Sequence, residues 1–345
     1  MPNLKKLGQL VIAFTLGVMA LFAINAMGVS PATAPPAWPS ETALNPMDFG
    51  AYGDGIHDDS DAVAAAIAHS VHRGAVRGGI IERCPPIRFP NGIYKINKRR
   101  ALTPVCPSGL SLDGFTLEGE SYKGVLIRYT DPEDWLFYDV DQARSVVMRN
   151  LVINGSRGNG AAITGKLLYL AGFAGGRVFD LRLQDVDLAN ASELIRFEGT
   201  QLTSENRFDN VCLDVSAGCT GITLNNPQSV NHWYRNLTVN GAGTFFNIMG
   251  GGMIHIDNIS ATLSDGAVLF QVGPLSSKLG VSNDGIFVSA AKTELFGSAQ
   301  LVNNMTGSTI VFRDSNFVTT DHPERPRVTG RAIFDASCIA PPHAQ

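Results

Sequence analysis

Five segments in the middle of this chain share one pattern: an Asn or Asp, then an apolar–any–apolar triplet. They are Asn150-Leu151-Val152-Ile153, Asp180-Leu181-Arg182-Leu183, Asn210-Val211-Cys212-Leu213, Asn236-Leu237-Thr238-Val239 and Asn258-Ile259-Ser260-Ala261. The steps between them are 30, 30, 26 and 22 residues. Gly114-Phe115-Thr116-Leu117 reads as an earlier copy, and Gly285-Ile286-Phe287-Val288 and the run FRDSNFV ending at Val318 as later ones. A step of this size suits one coil of three short strands and three turns, each strand alternating inward apolar and outward polar residues. A single coil cannot bury its own inner face, so coils must stack. Stacking spaces equivalent residues about 4.8 Å apart. Asn150, Asp180, Asn210, Asn236 and Asn258 then form a ladder in one turn, where side-chain amides can serve backbone groups of the neighbouring coil. Leucine-rich repeats carry a similar Asn but need denser leucines and a steadier period. The pattern predicts an all-β parallel helix.

Within each coil the third strand falls at 166–170, 193–198, 220–225, 244–249 and 265–270. Alternation points Leu168, Ile195, Ile222, Phe246 and Ala267 inward, and Tyr169, Arg196, Thr223, Asn247 and Val268 outward.

Upstream of the coils, MDFGAYGDGIHDDSDAVAAAIAHS runs from Met47 to Ser70. Gly50, Gly53 and Gly55 suit a tight turn that needs positive φ. Asp58, Asp59 and Ser60 suit a helix start, where side chains accept the orphan backbone N–H groups. Val63, Ile67 and Val71 then share one helical stripe. The segment resembles the N-terminal signature of the pectate-lyase-like superfamily of right-handed parallel β-helix proteins, which includes polygalacturonase-type hydrolases, polysaccharide lyases and phage tailspikes. The resemblance implies a short capping helix, a single-stranded right-handed parallel β-helix and a polysaccharide partner. It implies no catalyst in the cap itself. Polygalacturonase-like relatives carry their carboxylates on or beside the third strand, in Asn-Thr-Asp, Asp-Asp, Gly-His-Gly and Arg-Ile-Lys motifs. None of these occurs in the coils, and the only Asp-Asp is Asp58-Asp59 in the cap. The pectate-lyase motifs that supply calcium carboxylates and an Arg are missing too.

The first residues read as a secretory leader. Lys5 and Lys6 precede an uncharged stretch from Leu7 to Val29, followed by the Pro-rich SPATAPPAWPS. That stretch is also long enough to span a bilayer, so an uncleaved anchor is the alternative. The resulting organisation is a leader or anchor over 1–34 and a linker over 35–44. The β-helix follows over 45–335, with its cap at 45–108 and coils at 109–320, and a tail ends the chain at 336–345. Either form of the leader places the body in the periplasm or outside the cell, with membrane contact only through 7–29. Charged residues are only 17% of the chain and the formal charge is −4, with no basic run or basic–aromatic platform, which excludes a nucleic-acid partner. Cys212 with Cys219, and Cys84 with Cys106, could each close a disulfide in an oxidising compartment, leaving Cys338 over. No Cys/His spacing suggests zinc, and no cofactor is expected.

The outward face of the third strand is the candidate site. Tyr169, Arg196, Thr223 and Asn247 fall in one column, Glu198 and Asn225 in the next, and Lys166, Glu193, Thr220, Thr244 and Asp265 at the strand entrance. Tyr169, Arg196 and Glu198 are the candidate catalytic residues, because elimination beside a uronate carboxyl needs a base and a cation for the developing enolate. Hydrolysis instead needs two carboxylates on one face. Glu193 and Glu198 are five apart, which regular pleating puts on opposite faces unless the strand bulges at Leu194-Ile195. Glu193, Asn225, Asn247 and Asp265 are expected to line the groove. His232, Trp233 and Tyr234 form the densest aromatic cluster and are expected to touch sugar. Asp209, Arg235 and Asp257 each precede a ladder position and should stack with alternating sign. Asp185 and Asp187 could hold calcium, but two carboxylates alone bind it poorly.

Overall fold

Asparagine and aspartate tolerate left-handed backbone better than other non-glycine residues, because their short polar side chains bond locally. The computed structural model uses that tolerance to turn its corners. Asn150, Asp185, Asn210, Asn236 and Asn258 all have φ between 51° and 60°. The structure describes residues 42–131, 134–155, 163, 165–173, 178–273, 285–306, 308–319 and 326–340, the last three by backbone alone. The expected leader and most of the linker lie outside these residues. Among the described residues no helix is long and apolar enough to cross a membrane.

The described strands form an eighteen-stranded and an eight-stranded sheet. Apart from one short antiparallel pair, Ala75–Arg77 with Ile80–Glu82, their pairings are parallel. The chain is a right-handed parallel β-helix with one N-terminal α-helix. The central coils each have one long bent strand, such as Arg207–Val215 or Val230–Gly241, and one short strand, such as Thr220–Asn225; in later coils the long strand is split, as at Ile286–Ser289 and Lys292–Leu295. The predicted first and second strands are thus the two arms of one strand, bent at the left-handed residue.

Register corrects the ladder. Gln184 and Val186 pair with Arg149 and Leu151 on one side and with Asp209 and Val211 on the other. Asp185, not Asp180, therefore stands between Asn150 and Asn210. Asp180 has φ 63° and belongs to a second left-handed column five residues upstream, with Ser145, Glu205, Asn231 and Met253. Gly114 and Gly285 extend that upstream column rather than the asparagine ladder. The misassignment has a simple cause: Asp185-Val186-Asp187-Leu188 satisfies the same four-residue pattern. Asn150 Nδ2 donates to the backbone, at Gly119 O (3.4 Å), and the other ladder amides donate to side chains of the preceding coil. Asn210 Nδ2 donates to Asp185 Oδ1 at 2.6 Å, Asn236 Nδ2 to Asp209 Oδ1 at 2.9 Å, and Asn258 Nδ2 to Asn236 Oδ1 at 2.8 Å.

The eight-stranded sheet departs from plain alternation in a repeated way. Lys166 pairs with Glu193 and Leu168 with Ile195, with Leu167 and Leu194 also buried. The same doubled apolar step recurs at Phe245-Phe246, Leu269-Phe270 and Leu301-Val302. Outward residues therefore follow an i, i+3, i+5 rule. The rule also corrects the last predicted strand: Phe270, not Ala267, continues the Phe246 column, and Val268 sits at the entrance.

At the N-terminal end, Gly50, Gly53 and Gly55 all take positive φ. The helix Ser60–Arg73 buries Val63, Ala66, Ile67 and Val71. Its acidic start works differently from a standard cap. The Asp59 carboxylate reaches back to accept Tyr52 N at 2.6 Å and Gly53 N at 3.3 Å, while Ser60 Oγ accepts from Asn97 N at 2.9 Å and Lys98 N at 3.1 Å. The segment ties turn, helix and first coils together. Neither expected disulfide forms: Cys106, Cys212 and Cys219 are free thiols. Cys212 lies on an outward position near Asn240, whereas Cys219 is buried in the following turn.

Candidate functional site

The doubled apolar step brings Glu193, Arg196 and Glu198 to one face of the strand Glu193–Gly199. Arg196 Nε donates to Glu198 Oε2 at 2.6 Å, and Nη1 to Glu193 Oε1 at 3.2 Å. Asn225 Nδ2, on the next strand, donates to Glu198 Oε1 at 2.6 Å. Two carboxylates thus share one guanidinium, and their negative charge holds the Arg196 pKa above its usual value despite partial burial. The neighbouring hydroxyl, Thr223 Oγ1, is buried and has no partner among the described residues.

One coil earlier, Tyr169 continues the Arg196 column and Tyr138 continues it again. The two rings stack at 4.8 Å between centroids, and Trp135 lies 5.2 Å from Tyr169. Arg100 covers the Tyr138 ring at 4.0 Å, and Lys166 lies 5.6 Å from the Trp135 ring. Burial, with Glu198 nearby, pushes the Tyr169 phenol up to about 12. It keeps its proton at neutral pH, so it can donate one but is a poor base. On the other side Asn247 follows Thr223 in the column. Tyr169, Arg196, Glu198, Glu193, Asn225 and Asn247 are therefore brought together, with Tyr138 and Trp135 as neighbours that sequence reading missed. Trp135-Leu136-Phe137-Tyr138 obeys the same i, i+3 spacing, and that signal would have found them.

Four expected contacts fall elsewhere. His232 and Tyr234 are fully buried, because the strand leaving the left-handed Asn231 points 232 and 234 inward and 233 and 235 outward. His232 lies against Phe197, with Ser229 Oγ 2.9 Å from Nε2, and burial drops its pKa to about 3, so it stays neutral. Asp265 lies in an exposed turn, accepting Ser298 N at 2.7 Å and Ser298 Oγ at 2.5 Å. The doubled apolar step displaced it from the entrance column. Trp233 is 43% exposed but lies on the long-strand face, not beside Arg196. Its ring stacks on His255 at 4.3 Å, and His255 on Phe287 at 5.5 Å. One face of the indole is thereby occupied, and Arg207 is its register neighbour on the other side.

That second face holds an open cleft of about 770 Å³, running between two rows of outward side chains. The inner row is the charge column, longer than sequence alone suggested. Register runs Arg88, Glu118, Arg149, Gln184, Asp209 in order, and continues through Arg235, Asp257, Ser289, Arg313 and Asp335. Glu118 is buried between Arg88, at 2.7 Å, and Arg149. Asp185 and Asp187 are already engaged: Asp185 accepts from Asn210, and Asp187 accepts from Tyr122 Oη at 2.8 Å. Among the described residues no group of three or more His, Cys, Asp or Glu is placed to hold a metal ion.

No protein-family model matches this chain, and no curated protein matches it significantly. Similar solved structures include ORF18 of Geobacillus virus E2, at 15% identity and a TM-score of 0.47, over 86% of this chain and 60% of that one. The AlgE6 A-module of mannuronan C-5 epimerase from Azotobacter vinelandii is similar at 15% identity and 0.42, over 87% and 100%. PfbA, a surface adhesin of Streptococcus pneumoniae, is similar at 12% identity and 0.28, over 86% and 93%. This chain thus spans less than two thirds of the viral protein's length. Likenesses this distant concern architecture alone.

Proposed function

We propose that this protein hydrolyses a polysaccharide lying along the outer face of the eight-stranded sheet, and that its N-terminal segment takes it out of the cytoplasm. The observation that carries the reading is the shared face of Glu193 and Glu198. Both reach one guanidinium, which keeps their carboxylate oxygens no more than about 8 Å apart, below the upper limit of the separation glycosidases use. Hydrogen bonding suggests the division of labour. Glu198, held by Arg196 and Asn225, is the carboxylate that acts as base or nucleophile. Glu193, held only by the longer Arg196 contact, is the acid that gives its proton to the leaving oxygen. The aromatic run of Tyr138, Tyr169 and Trp135 supplies apolar surface for neighbouring sugar units. Lys166 and Arg100 beside it suit a polymer bearing carboxylates, uronic acid among them.

Elimination fits this site less well, since Tyr169 holds its proton and Arg196 already faces two carboxylates. A non-catalytic polysaccharide-binding or adhesive role is the second reading, favoured by that same ion triplet, which leaves neither glutamate free before substrate arrives. Purified protein incubated with pectic, alginate-like and bacterial exopolysaccharides separates the readings. New reducing ends without unsaturated-uronate absorbance, falling about 10²–10⁴-fold in Glu198→Gln, support hydrolysis. Absorbance together with reducing ends would mean elimination, and binding without either product would mean an adhesin.

A further inference from the structure

The outward face of the eighteen-stranded sheet carries a patch that matches its own copy. Trp233, His255, Phe287, Val311 and Ile333 are register partners in one column. Trp233, Phe287 and Ile333 are each 43–46% exposed. This is a continuous stripe of apolar and aromatic side chains on five successive strands, roughly 19 Å long at the usual strand spacing. Contiguous exposed apolar surface of this kind marks an interaction site more often than chance. Two residues further along each strand runs the charged row Arg235, Asp257, Ser289, Arg313 and Asp335. Its order is plus, minus, neutral, plus, minus. Reversing that order about Ser289 exchanges every plus with a minus.

We infer that a second copy of this chain covers the patch, packed antiparallel about a two-fold axis that runs along the Ile286–Ser289 strand. Under that operation Asp257 faces the other copy's Arg313, Arg235 faces its Asp335, and Ser289 faces Ser289. Phe287 meets Phe287, Trp233 meets Ile333, and His255 meets Val311. Each charge finds its opposite and each apolar residue finds an apolar or aromatic one, as an isologous interface requires. A parallel two-fold, with its axis running down the stack over the charged row, would instead set Arg235 on Arg235 and Asp257 on Asp257. Charge complementarity therefore selects both the partner and its direction. The patch is small beside the roughly 800 Å² per partner of a standard interface, so the dimer is weak, in the micromolar range. This inference does not depend on the hydrolase reading, because the two faces share no residue.

Sedimentation equilibrium of the full chain from 1 to 200 µM tests it. The wild type should associate to about twice its 36.8 kDa mass, more weakly as salt is raised. Phe287→Asp, at the axis, should weaken the dimer at least tenfold. Asp257→Arg should do likewise by facing Arg313 of the other copy, and adding Arg313→Asp should restore association to within about threefold. Within one chain these two residues are separated by an intervening strand, so rescue reports contact between copies. Unchanged thermal melts keep misfolding out of the reading. A monomer at 200 µM, a dimer indifferent to Phe287→Asp, or a double variant no better than Asp257→Arg overturns the inference. So does a monomer whose polysaccharide binding is lost in Phe287→Asp, which assigns the patch to sugar.

Discussion

Asp139 sits on the strand Trp135–Val140 that also presents Tyr138, yet its carboxyl is almost wholly buried. It accepts Ala143 N at 3.1 Å and Gln142 N at 3.3 Å, but burial outweighs those donors and raises its pKa to about 7. The unfolded carboxyl titrates near 3.8, so between these values the folded state holds the extra proton. Its contribution to stability is complete below about pH 4 and is lost as pH rises through about 7. Urea unfolding at pH 5 and pH 8 should therefore show the native state weakening toward pH 8. Asp139→Asn, neutral at both values, should flatten that change by a few kcal/mol at most, on the order of the shift itself. An Asn variant with the wild-type pH slope would move the titration to another group. The strand Glu193–Gly199 shows how residue-level reading fails. Single-residue alternation cannot see that Leu194 and Ile195 are both buried, and that one irregularity decides whether Glu193 faces Glu198 or the core.

At the scale of elements, the bend in each long strand costs about 1–2 kcal/mol for a residue with a Cβ in left-handed backbone. Asparagine lowers that cost, and at the ladder it also bonds to the next coil. Asn236 donates to Asp209 and accepts from Asn258, so both effects meet there. Asn236→Val should lower unfolding free energy by about 2–3 kcal/mol, whereas Asn236→Gly should cost about 1 kcal/mol, losing the side-chain bonds but not the backbone conformation. Thermal melts of the pair check it; equal losses would mean that the corner carries no backbone strain. This element was legible because left-handed corners restrict residue type so narrowly. Asn150, Asn210, Asn236 and Asn258 were placed correctly for that reason, and Asp180 was misplaced because two left-handed columns run five residues apart and both accept aspartate. The cap was legible for a similar reason, its glycines and acids being dictated by local turns. The doubled apolar step was written in the sequence too, at Leu167-Leu168, Leu194-Ile195, Phe245-Phe246, Leu269-Phe270 and Leu301-Val302, but only comparison between coils reveals it. Burial of His232 and Tyr234 depended on register set by Asn231, which no local composition announces.

For the molecule as a whole, stability comes chiefly from coil stacking, since the core is a continuous apolar column. A stack of this kind has two ends, and an uncovered end presents both an apolar cross-section and an open strand edge. The helix Ser60–Arg73 answers this at the N-terminal end, with Ile67 only 1% exposed and Ser70 Oγ donating to Pro85 O at 2.5 Å. Ile67→Asp buries a charge with no partner and should lift the helix from the coils. Because each coil contacts mainly its neighbours, the damage should spread as fraying rather than as collapse. Hydrogen exchange should then show lost protection in Ile87–Phe89 and Gly92–Ile96, while Val230–Gly241 keeps its protection. The exposed end should also lower the soluble fraction, as unpaired strand edges recruit other chains. Uniform loss of protection along the whole stack would instead mean that the coils fold as one cooperative unit, and that the helix stabilises every one of them rather than sealing the first.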